Sequence, residues 1–550
     1  MTTLVRPDVE SAGTSAAGDH RSASFTGLPQ LVRLVLRRDR VRLVLWVGGI
    51  VGLVVATAAS IVGLYDTPED LERYARLVRG NTALIVQAGP GYGLDDPTTG
   101  AVVMNEMGIW TLVAAALMSV FMVVRHTRTE EETERAEMIR ALPVGRHAQL
   151  AAAMIGVTIA NVLVATGVAI SLMAYDLAAA GSVAYSLSLI GVGSVFAGGA
   201  AVASQVASGS RTALALGGAA IAASFVLRAI GDVNESVLTW LSPLGWGQGI
   251  RAYADERWWV LVLPVLATVG LLAAAVGLQA RRDLGAGLLP ERAGPSVAAP
   301  RLSTPGALAW RLQRGAMFGW MTGIGLLAFF YGIVADQAES ILEDNPEMED
   351  FLAQLGEGSI LDAFLSTAVL MLALIATGFT IASVLRLRSE ELAGRVEPVL
   401  ATPTPRWRWA VSHLAVAVAG TVVLMLVTGA LTGLGLALAS GDTSTFWPIV
   451  GASSAMVPAM LVLAGVALLS YGVSPRWALV SWGGFAYTLV IGLLGSALDL
   501  PQWALNVSPF THVPAMPAAG FTWTPMVVLL TVAVLLGAAG VRAFERRDIS

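Results

Sequence analysis

The sequence contains no cysteine and no lysine among its 550 residues, and only 13% of the residues are charged. Without cysteine, the chain has no disulfide framework, no thiolate metal site and no cysteine nucleophile. Without lysine, it has no Walker A phosphate loop, because that loop needs a lysine to reach the β- and γ-phosphates of a nucleotide. If ATP drives this protein, the nucleotide site lies on another polypeptide.

What the chain does contain is apolar sequence: 55% of its residues are hydrophobic and its mean hydropathy is +0.69. Soluble proteins are roughly 45–50% apolar and about 25% charged, so the composition indicates an all-α polytopic membrane protein. A spanning helix needs about 20 mostly apolar residues. Such runs predict about twelve spans, at 43–64, 104–124, 149–175, 183–206, 212–231, 258–280, 316–335, 363–385, 409–439, 447–472, 477–498 and 523–541.

The arginines predict the orientation of these spans. Five arginines lie within 28–42, directly before the first span, and five lie in or beside each of the loops that follow the second and the eighth. The loops at 65–103 and 336–362 are acidic instead, and the second of them contains no arginine. Because basic loops stay on the cytoplasmic side, we expect both chain ends in the cytoplasm and the acidic loops outside the plasma membrane.

The arginine-rich loops contain a charged block that occurs twice, at 128–146 and 388–406. Aligned without a gap, 8 of the 19 positions are identical. The identical pairs are Arg128/Arg388, Glu130/Glu390, Glu131/Glu391, Arg135/Arg395, Glu137/Glu397, Ala141/Ala401, Pro143/Pro403 and Arg146/Arg406. A chain with so little charge has therefore concentrated it in two matched places.

The repeat extends beyond the block and divides the chain into two halves of six spans. Further matched features are Arg211 with Arg476, Ser242-Pro243 with Ser508-Pro509, and Arg281-Arg282-Asp283 with Arg546-Arg547-Asp548. An even number of spans gives both halves the same orientation, so we expect an axis along the membrane normal to relate them. The predicted divisions are a disordered tail (1–27), a first half (28–283), a linker (284–305) and a second half (306–550).

Two segments flank the spans of each half. Basic amphipathic stretches, 28–42 and 308–314, lead into the first span of each half and suit a helix lying at the membrane interface. Segments 232–257 and 499–522, rich in Trp, Pro and Gly, precede the last spans. Because such backbone is tolerated at membrane depth only against protein or a cavity, we interpret the latter as short re-entrant elements.

The block has three possible interpretations. As an enzyme site its glutamates would do acid–base or metal chemistry, but no HExxH motif is present and the nearby His126 and His147 have no counterparts in the second copy. If the block were only a solvated loop that anchors the chain at the cytoplasmic side, arginine would be expected in it. Glutamate at the same positions in both copies would not be expected. A short helix ended by Pro143 or Pro403, with one charge pattern at two symmetric places, favours docking of a two-fold symmetric partner.

These features together resemble type-2 ABC exporter permeases. The resemblance rests on twelve spans in two halves, on an RxEE…RxE…P pattern after the second span of each half, and on a Ser-Pro segment before the last span. The sequence is most similar to the fused, double-length actinobacterial permeases of polyketide antibiotics (tetronasin-like) or of multiple drugs. This resemblance covers nearly the whole chain from about residue 28.

The resemblance implies an interfacial connecting helix before the first span of each half and a coupling helix within each block. Two copies of a separately encoded ATP-binding subunit would dock there, with ATP and Mg on that subunit and no cofactor or metal on this chain. The residues implied in docking are Arg128, Glu130, Glu131, Arg135, Glu137, Arg388, Glu390, Glu391, Arg395 and Glu397. Gly394 and Pro398 replace Glu134 and Met138 in the second copy, so its helix is expected to be shorter.

The same resemblance implies a substrate pathway lined by the second and fifth spans of each half. Its candidate residues are Trp110, Met118, Phe121, Phe225, Phe364, Met371, Phe379 and Phe485. Aromatic and methionine side chains suit hydrophobic or amphipathic compounds, and the expected surroundings are membrane lipid, not nucleic acid. Two other functions stay open: a gradient-driven secondary transporter, and a membrane enzyme acting on lipid-linked substrates through Asp232, Glu235, Asp255 or Glu256.

Overall fold

A computed structural model divides the chain into two compact units, Met1–Gly294 and Pro295–Ser550. The division falls inside the predicted linker. The structure describes residues 24–79, 82–133, 135–282, 287–288, 296–297, 299–343, 360–494 and 501–548. The predicted tail up to residue 23, much of the linker and most of the second acidic loop lie outside these residues.

The described residues of the first unit form helices and turns only. Its α-helices are α1 Leu28–Leu64, α2 Pro68–Val78, α3 Thr82–Ala88, α4 Thr99–His126, α5 Arg128–Glu132, α6 Arg135–Arg140, α7 Ala148–Ala174, α8 Ala179–Val206, α9 Ser210–Val233, α10 Pro243–Gly249 and α11 Val262–Gln279. Short 3-10 helices, Val237–Leu241 and Trp258–Leu261, lie beside α10 and α11.

The second unit repeats this order. Its α-helices are α12 Pro305–Glu343, α13 Ile360–Val384, α14 Arg386–Leu392, α15 Val396–Leu400, α16 Arg406–Ser440, α17 Phe446–Ala455, α18 Val457–Val473, α19 Ala478–Leu494, α20 Gln502–Leu505 and α21 Trp523–Arg546. Three 3-10 helices complete it, Pro300–Leu302, Pro475–Trp477 and Pro509–His512.

Eleven helices within the described residues are long and apolar enough to cross a membrane, and each coincides with a predicted span. The prediction of an all-α polytopic membrane protein is therefore confirmed. The remaining predicted span, 477–498, coincides with α19, which has 17 residues. At 1.5 Å per residue α19 is about 25 Å long, and residues 495–500 that follow it are not among those described.

The second long helix of each unit lies at the centre of that unit. In the most apolar stretch of α4, 72% of the residues are buried, and the share is the same in the stretch formed by α13 with α14. The corresponding shares are 22% for α1 and 28% for α12. α4 packs against α1, α7, α8 and α9, and α13 packs against α12, α16, α18 and α19. Because the charged block follows this central helix directly, the block is attached to the most enclosed element of each unit.

The structure corrects the prediction of separate interfacial helices. Residues 28–42 are the first turns of α1, and 308–314 lie within α12, which begins at Pro305. No proline or glycine interrupts 30–47, so nothing in the sequence ends the helix before the span begins. The 37 residues of α1 extend for about 55 Å, well beyond the roughly 30 Å hydrocarbon core.

The last residues of the predicted tail pack against the chain that follows the first block. The backbone N–H of Gly145 donates to the carbonyl of Thr26 at 3.0 Å, and that of His147 donates to Ser24 at 3.2 Å. Gly27, in the left-handed region with φ 78°, precedes the first turn of α1. These residues therefore link the beginning of α1 to the end of the block.

The segments before the last spans contain short helices, and their Ser-Pro pairs begin two of them. Pro243 starts α10 and Pro509 starts a 3-10 helix, a position that suits proline because its missing N–H would have no helical partner. The side chain of Ser242 accepts a hydrogen bond from the backbone N–H of Gly245 at 3.1 Å. The duplicated Ser-Pro pair is therefore a helix start in both units.

Candidate functional site: the duplicated charged blocks

Each charged block is two short helices, not one. In the first unit α4 ends at His126, Thr127 leaves helical geometry, and α5 and α6 follow. In the second unit α14 ends at Leu392, and Gly394 (φ 67°) follows it in the left-handed region. The backbone N–H of Arg395 donates to the carbonyl of Glu390 at 3.0 Å, a Schellman-type helix end. The two helices have five and six residues in the first block and seven and five in the second, so the expected shortening is seen in α15 alone.

The first arginine of each block points inward. Arg128 is 1% exposed, and its Nε donates to the carbonyl of Ser208 at 2.9 Å. Arg388 makes the equivalent contact, with its Nε 2.8 Å from the carbonyl of Pro475. Both carbonyls belong to the short connection after the fourth spanning helix of their unit. The two arginines therefore fasten the blocks to equivalent loops.

The second glutamate of each block pairs with an arginine from the far end of its unit. Glu131 receives hydrogen bonds from Arg282 at 2.5 and 2.8 Å and from Arg128 at 2.7 Å. Glu391 receives one from Arg547 at 2.6 Å and one from the hydroxyl of Tyr471 at 2.5 Å. The side chains of both ion pairs are 5–11% exposed. This contact explains why the Arg-Arg-Asp motif after the last span is duplicated along with the block.

The block-ending arginines bind the same region. Arg146 donates to the carbonyl of Gln279 at 3.2 Å, and Arg406 donates to the carbonyl of Arg547 at 2.7 Å. These carbonyls lie at or just past the carboxyl ends of α11 and α21, where carbonyl groups lack helical partners and a positive charge is favourable. Each block is therefore tied to the last helix of its unit at two points.

The first glutamate of each block is buried in both units but has different partners. Glu130 and Glu390 are each 5% exposed. Glu130 accepts a hydrogen bond from Arg38 of α1 at 2.5 Å. Glu390 pairs with Arg386 at 2.7 Å and with Arg395 at 2.8 Å, both close to it in sequence. The first block is therefore tied to α1, whereas the second closes on itself.

The outward face of the blocks comprises the other predicted docking residues and some apolar ones that sequence reasoning missed. Arg135 and Glu137 are exposed in the first copy, and Arg395 and Glu397 are exposed in the second. The exposed apolar side chains are Met138 (67%), Leu142 (62%) and Leu392 (67%). In the sequence, only their position within a charged block marks these apolar residues as part of a docking face. The binding of a partner to this face stays a prediction. Six of the ten residues predicted to dock are turned inward instead: Arg128, Glu130, Glu131, Arg388, Glu390 and Glu391.

The predicted pathway residues of the first unit fall in two surroundings. Trp110 and Phe121, on α4, are 38% and 46% exposed. Trp110 packs on Phe225 with ring centroids 6.3 Å apart, and Phe121 stacks on Trp46 at 6.2 Å. Met118 is fully buried in the core of the unit. Of the predicted pathway residues in this unit, Trp110 and Phe121 are therefore the ones whose side chains are exposed enough to contact a bound compound.

The predicted pathway residues of the second unit pack more deeply. Phe379 is 3% exposed and its ring lies 6.3 Å from that of Trp320. Phe364 and Met371 share a neighbour, Tyr331, whose ring lies 6.3 Å from Phe364 and whose hydroxyl lies 4.0 Å from the Met371 sulfur. Phe485 packs edge-on against Trp482 at 5.8 Å.

The carboxylates considered for a membrane enzyme are not gathered in one place by any contact that we observe. Asp232 accepts a hydrogen bond from the hydroxyl of Thr239 at 2.8 Å and lies 3.5 Å from Arg228. Glu256 accepts one from the backbone N–H of Tyr253 at 3.3 Å. Both carboxylates thus serve local turns of the chain.

These observations define a multi-pass α-helical membrane protein in which a duplicated block makes three equivalent contacts in each of two repeated units, through Arg128/Arg388, Glu131/Glu391 and Arg146/Arg406. A family model described as the C-terminal domain of the multidrug efflux system permease Rv1217c matches residues 302–545. The chain is 38% identical over 534 residues to the multidrug efflux system permease protein Rv1217c of Mycobacterium tuberculosis (strain ATCC 25618 / H37Rv), and the match covers 96% of both chains. The chain therefore belongs to the Rv1217c family of multidrug efflux system permeases. The predicted resemblance to multidrug exporter permeases is confirmed.

Proposed function

We propose that this chain is the transmembrane subunit of an ATP-driven exporter that moves hydrophobic or amphipathic compounds, including antibiotics, out of the cell. Two copies of a separate ATP-binding subunit would dock on the two blocks and hold ATP and Mg. One observation carries this proposal: the contacts of Arg128 and Glu131 recur at Arg388 and Glu391. Two equally mounted surfaces suit a partner present in two copies.

The inward contacts supply a mechanism for coupling. A partner that closes on binding ATP would push on the outward face of each block. The ion pairs Glu131–Arg282 and Glu391–Arg547 would transmit that movement to the last helix of each unit. The helices α4 and α13, which precede the blocks, would transmit it to the centre of their own unit. Transmission requires that the contacts differ in free energy between the two states of the partner.

The charge distribution supports the orientation that docking requires. Arg33, Arg37 and Arg40 are exposed on the part of α1 that lies at the same end as the block, whereas acidic residues dominate the connection between α1 and α4. Arginine-rich ends stay in the cytoplasm, where ATP is available. We therefore propose that both blocks and both chain termini are cytoplasmic.

Co-purification tests the proposal. The chain is extracted in mild detergent from its native membrane, alongside a variant carrying Glu137→Arg and Glu397→Arg on the outward faces. We expect a bound ATP-hydrolysing subunit with the native chain and its loss with the variant. Glu69→Arg, an exposed reversal at the opposite end of the first unit, is the matched control and should keep the partner.

The outcomes separate the candidate functions. A chain that purifies without any ATPase and still exports drugs would overturn ATP-driven transport in favour of a gradient-driven carrier. Export that persists in the double variant, with the ATPase still bound, would show that the blocks are not the docking site. The proposal requires that the native chain and the Glu69→Arg control keep the partner and that the double variant loses it.

A further inference from the structure

A groove in the first unit lies where α1, α4 and α9 meet near the block. Its volume is about 410 Å³, within the range of roughly 300–1,000 Å³ that is typical of small-molecule sites. The residues lining it are Asp39, Arg42, Trp46, Phe121, Met122, Val124, Arg125, Thr129 and Leu214. One part of this lining is apolar and another is charged.

The apolar part is built around two stacked rings. Trp46 and Phe121 lie 6.2 Å apart with an interplanar angle of 28°, and Phe121 is 46% exposed although it belongs to the central helix. Leu214 of α9 also lines the groove. A partly exposed aromatic pair in such a groove can cover the flat or branched apolar body of a ligand.

The charged part has an excess of positive charge. Asp39 is fully buried, its carboxylate accepts a hydrogen bond from Arg125 at 2.9 Å, and it also bonds to His126. Arg42 lies 3.9 Å from the same carboxylate, and its side chain is 51% exposed. Two guanidinium groups and one carboxylate leave a net charge of +1. The neighbouring Arg38 is paired with Glu130 and adds no free charge.

We propose that this groove binds amphipathic anions that the protein exports. The apolar body of the compound would lie on Trp46 and Phe121, and its carboxylate, sulfonate or phosphate would accept hydrogen bonds from Arg42. A guanidinium group forms two parallel hydrogen bonds with such anions, which fixes their orientation as well as adding affinity. The inference rests on the proposed function for the statement that the bound compound is exported.

The second unit lacks this arrangement. Aligning Arg37, Arg40 and Trp46 with Arg311, Arg314 and Trp320 places Ala316 opposite Arg42. The offset of the charged blocks places Ile381 opposite Phe121 and Leu385 opposite Arg125. Both guanidinium groups and one ring are thus replaced by aliphatic side chains, so the matched positions of the second unit do not form this arrangement.

Fluorescence of anilinonaphthalene sulfonate tests the site directly. The full chain is placed in phosphatidylcholine nanodiscs, and binding is measured by energy transfer from tryptophan, with empty nanodiscs subtracted. We expect Arg42→Gln to weaken binding of this anion by about tenfold, which is what the loss of a charge-assisted hydrogen bond causes. Neutral phenylnaphthylamine should bind the Arg42→Gln chain as it binds the native one.

Three further variants make the test specific. Arg40→Gln removes the same charge two residues earlier on α1, outside the groove lining, and should change binding of the anion less than twofold. Arg42→Lys keeps the charge but loses the parallel pair of hydrogen bonds, so it should weaken binding of the anion less than Arg42→Gln does. Phe121→Ala should weaken both probes, because it removes part of the apolar surface that they share.

Two results would overturn the inference. Equal losses in Arg42→Gln and Arg40→Gln would mean that the anion responds to general surface charge. If replacing a third of the phosphatidylcholine by phosphatidylglycerol abolishes the difference between the native and Arg42→Gln chains, the groove holds anionic lipid and not an exported compound. Because no ATP-binding subunit takes part in this assay, its failure is distinguishable from failure of the proposed ATP-driven mechanism.

Discussion

Removing the charge of Glu391 should release the second block from the end of α21. The carboxylate pairs with Arg547 at 2.6 Å and accepts from the Tyr471 hydroxyl at 2.5 Å, and the paired side chains are 8% and 11% exposed. Glu391→Gln would leave the guanidinium in a poorly solvated place without its counter-charge. Breaking a buried pair on one side costs about 3–5 kcal/mol, and partial exposure places this one near 3 kcal/mol.

A loss of about 3 kcal/mol should raise the local opening equilibrium roughly 100- to 200-fold. Hydrogen–deuterium exchange of the amides in α14 and α15 measures that opening. The double variant Glu391→Gln with Arg547→Gln removes both charges, so its cost should be about 2 kcal/mol less than the sum of the single costs. Glu397→Gln, an exposed change in the same block, should alter exchange by less than 0.5 kcal/mol.

The result that would refute this reasoning is equal exchange in Glu391→Gln and Glu397→Gln. Strict additivity in the double variant would also contradict it, because the ion pair would then contribute no coupling free energy. The absence of cysteine from the natural chain offers a second measurement. A single cysteine introduced at Val396, which is 1% exposed in the folded block, has no competing thiol, and its alkylation rate should report the same release of the block.

Two other predictions test the packing of the spans. Gly193→Ala should destabilise the first unit by about 1–3 kcal/mol in thermal unfolding, because its new methyl group would lie 2.3 Å from the Asn161 side chain. Gly199→Ala on the same helix meets nothing within 4 Å and should be neutral or stabilising by up to about 1 kcal/mol. Met118→Ala, in the core, should cost about 2–5 kcal/mol, whereas the exposed Trp110→Ala should change the range of exported compounds in drug-resistance assays more than it changes stability.

The glycines of α8 illustrate what a pattern can predict. Four glycines inside an apolar span, Gly191, Gly193, Gly198 and Gly199, predict close helix packing. Three of them meet neighbouring side chains where a Cβ would stand less than 3 Å from the nearest atom, but Gly199 meets nothing. Composition indicates that a helix approaches others closely. Which turn does so depends on the neighbouring helix and is decided only on folding.

The sequence by itself determined the number and type of the long elements. In a membrane every backbone polar group needs a partner within the protein, so apolar runs of sufficient length have to be helices. The duplication of the block also indicated, without any structure, that Arg128, Glu131 and their counterparts serve a purpose beyond surface charge. The connecting-helix boundaries were wrong, since no residue near 43 ends α1, and each block forms two short helices where one was predicted.

The tertiary structure decided which way the charged residues face. Glu131 meets Arg282 across 151 positions, and no local period predicts a contact between elements so distant in sequence. Once such a pair forms away from water, separating it is unfavourable, because either partner would remain as a buried charge without a counter-charge. The most conspicuous duplicated charges therefore hold each block in place, and the outward face is left to less conspicuous residues such as Glu137 and Met138.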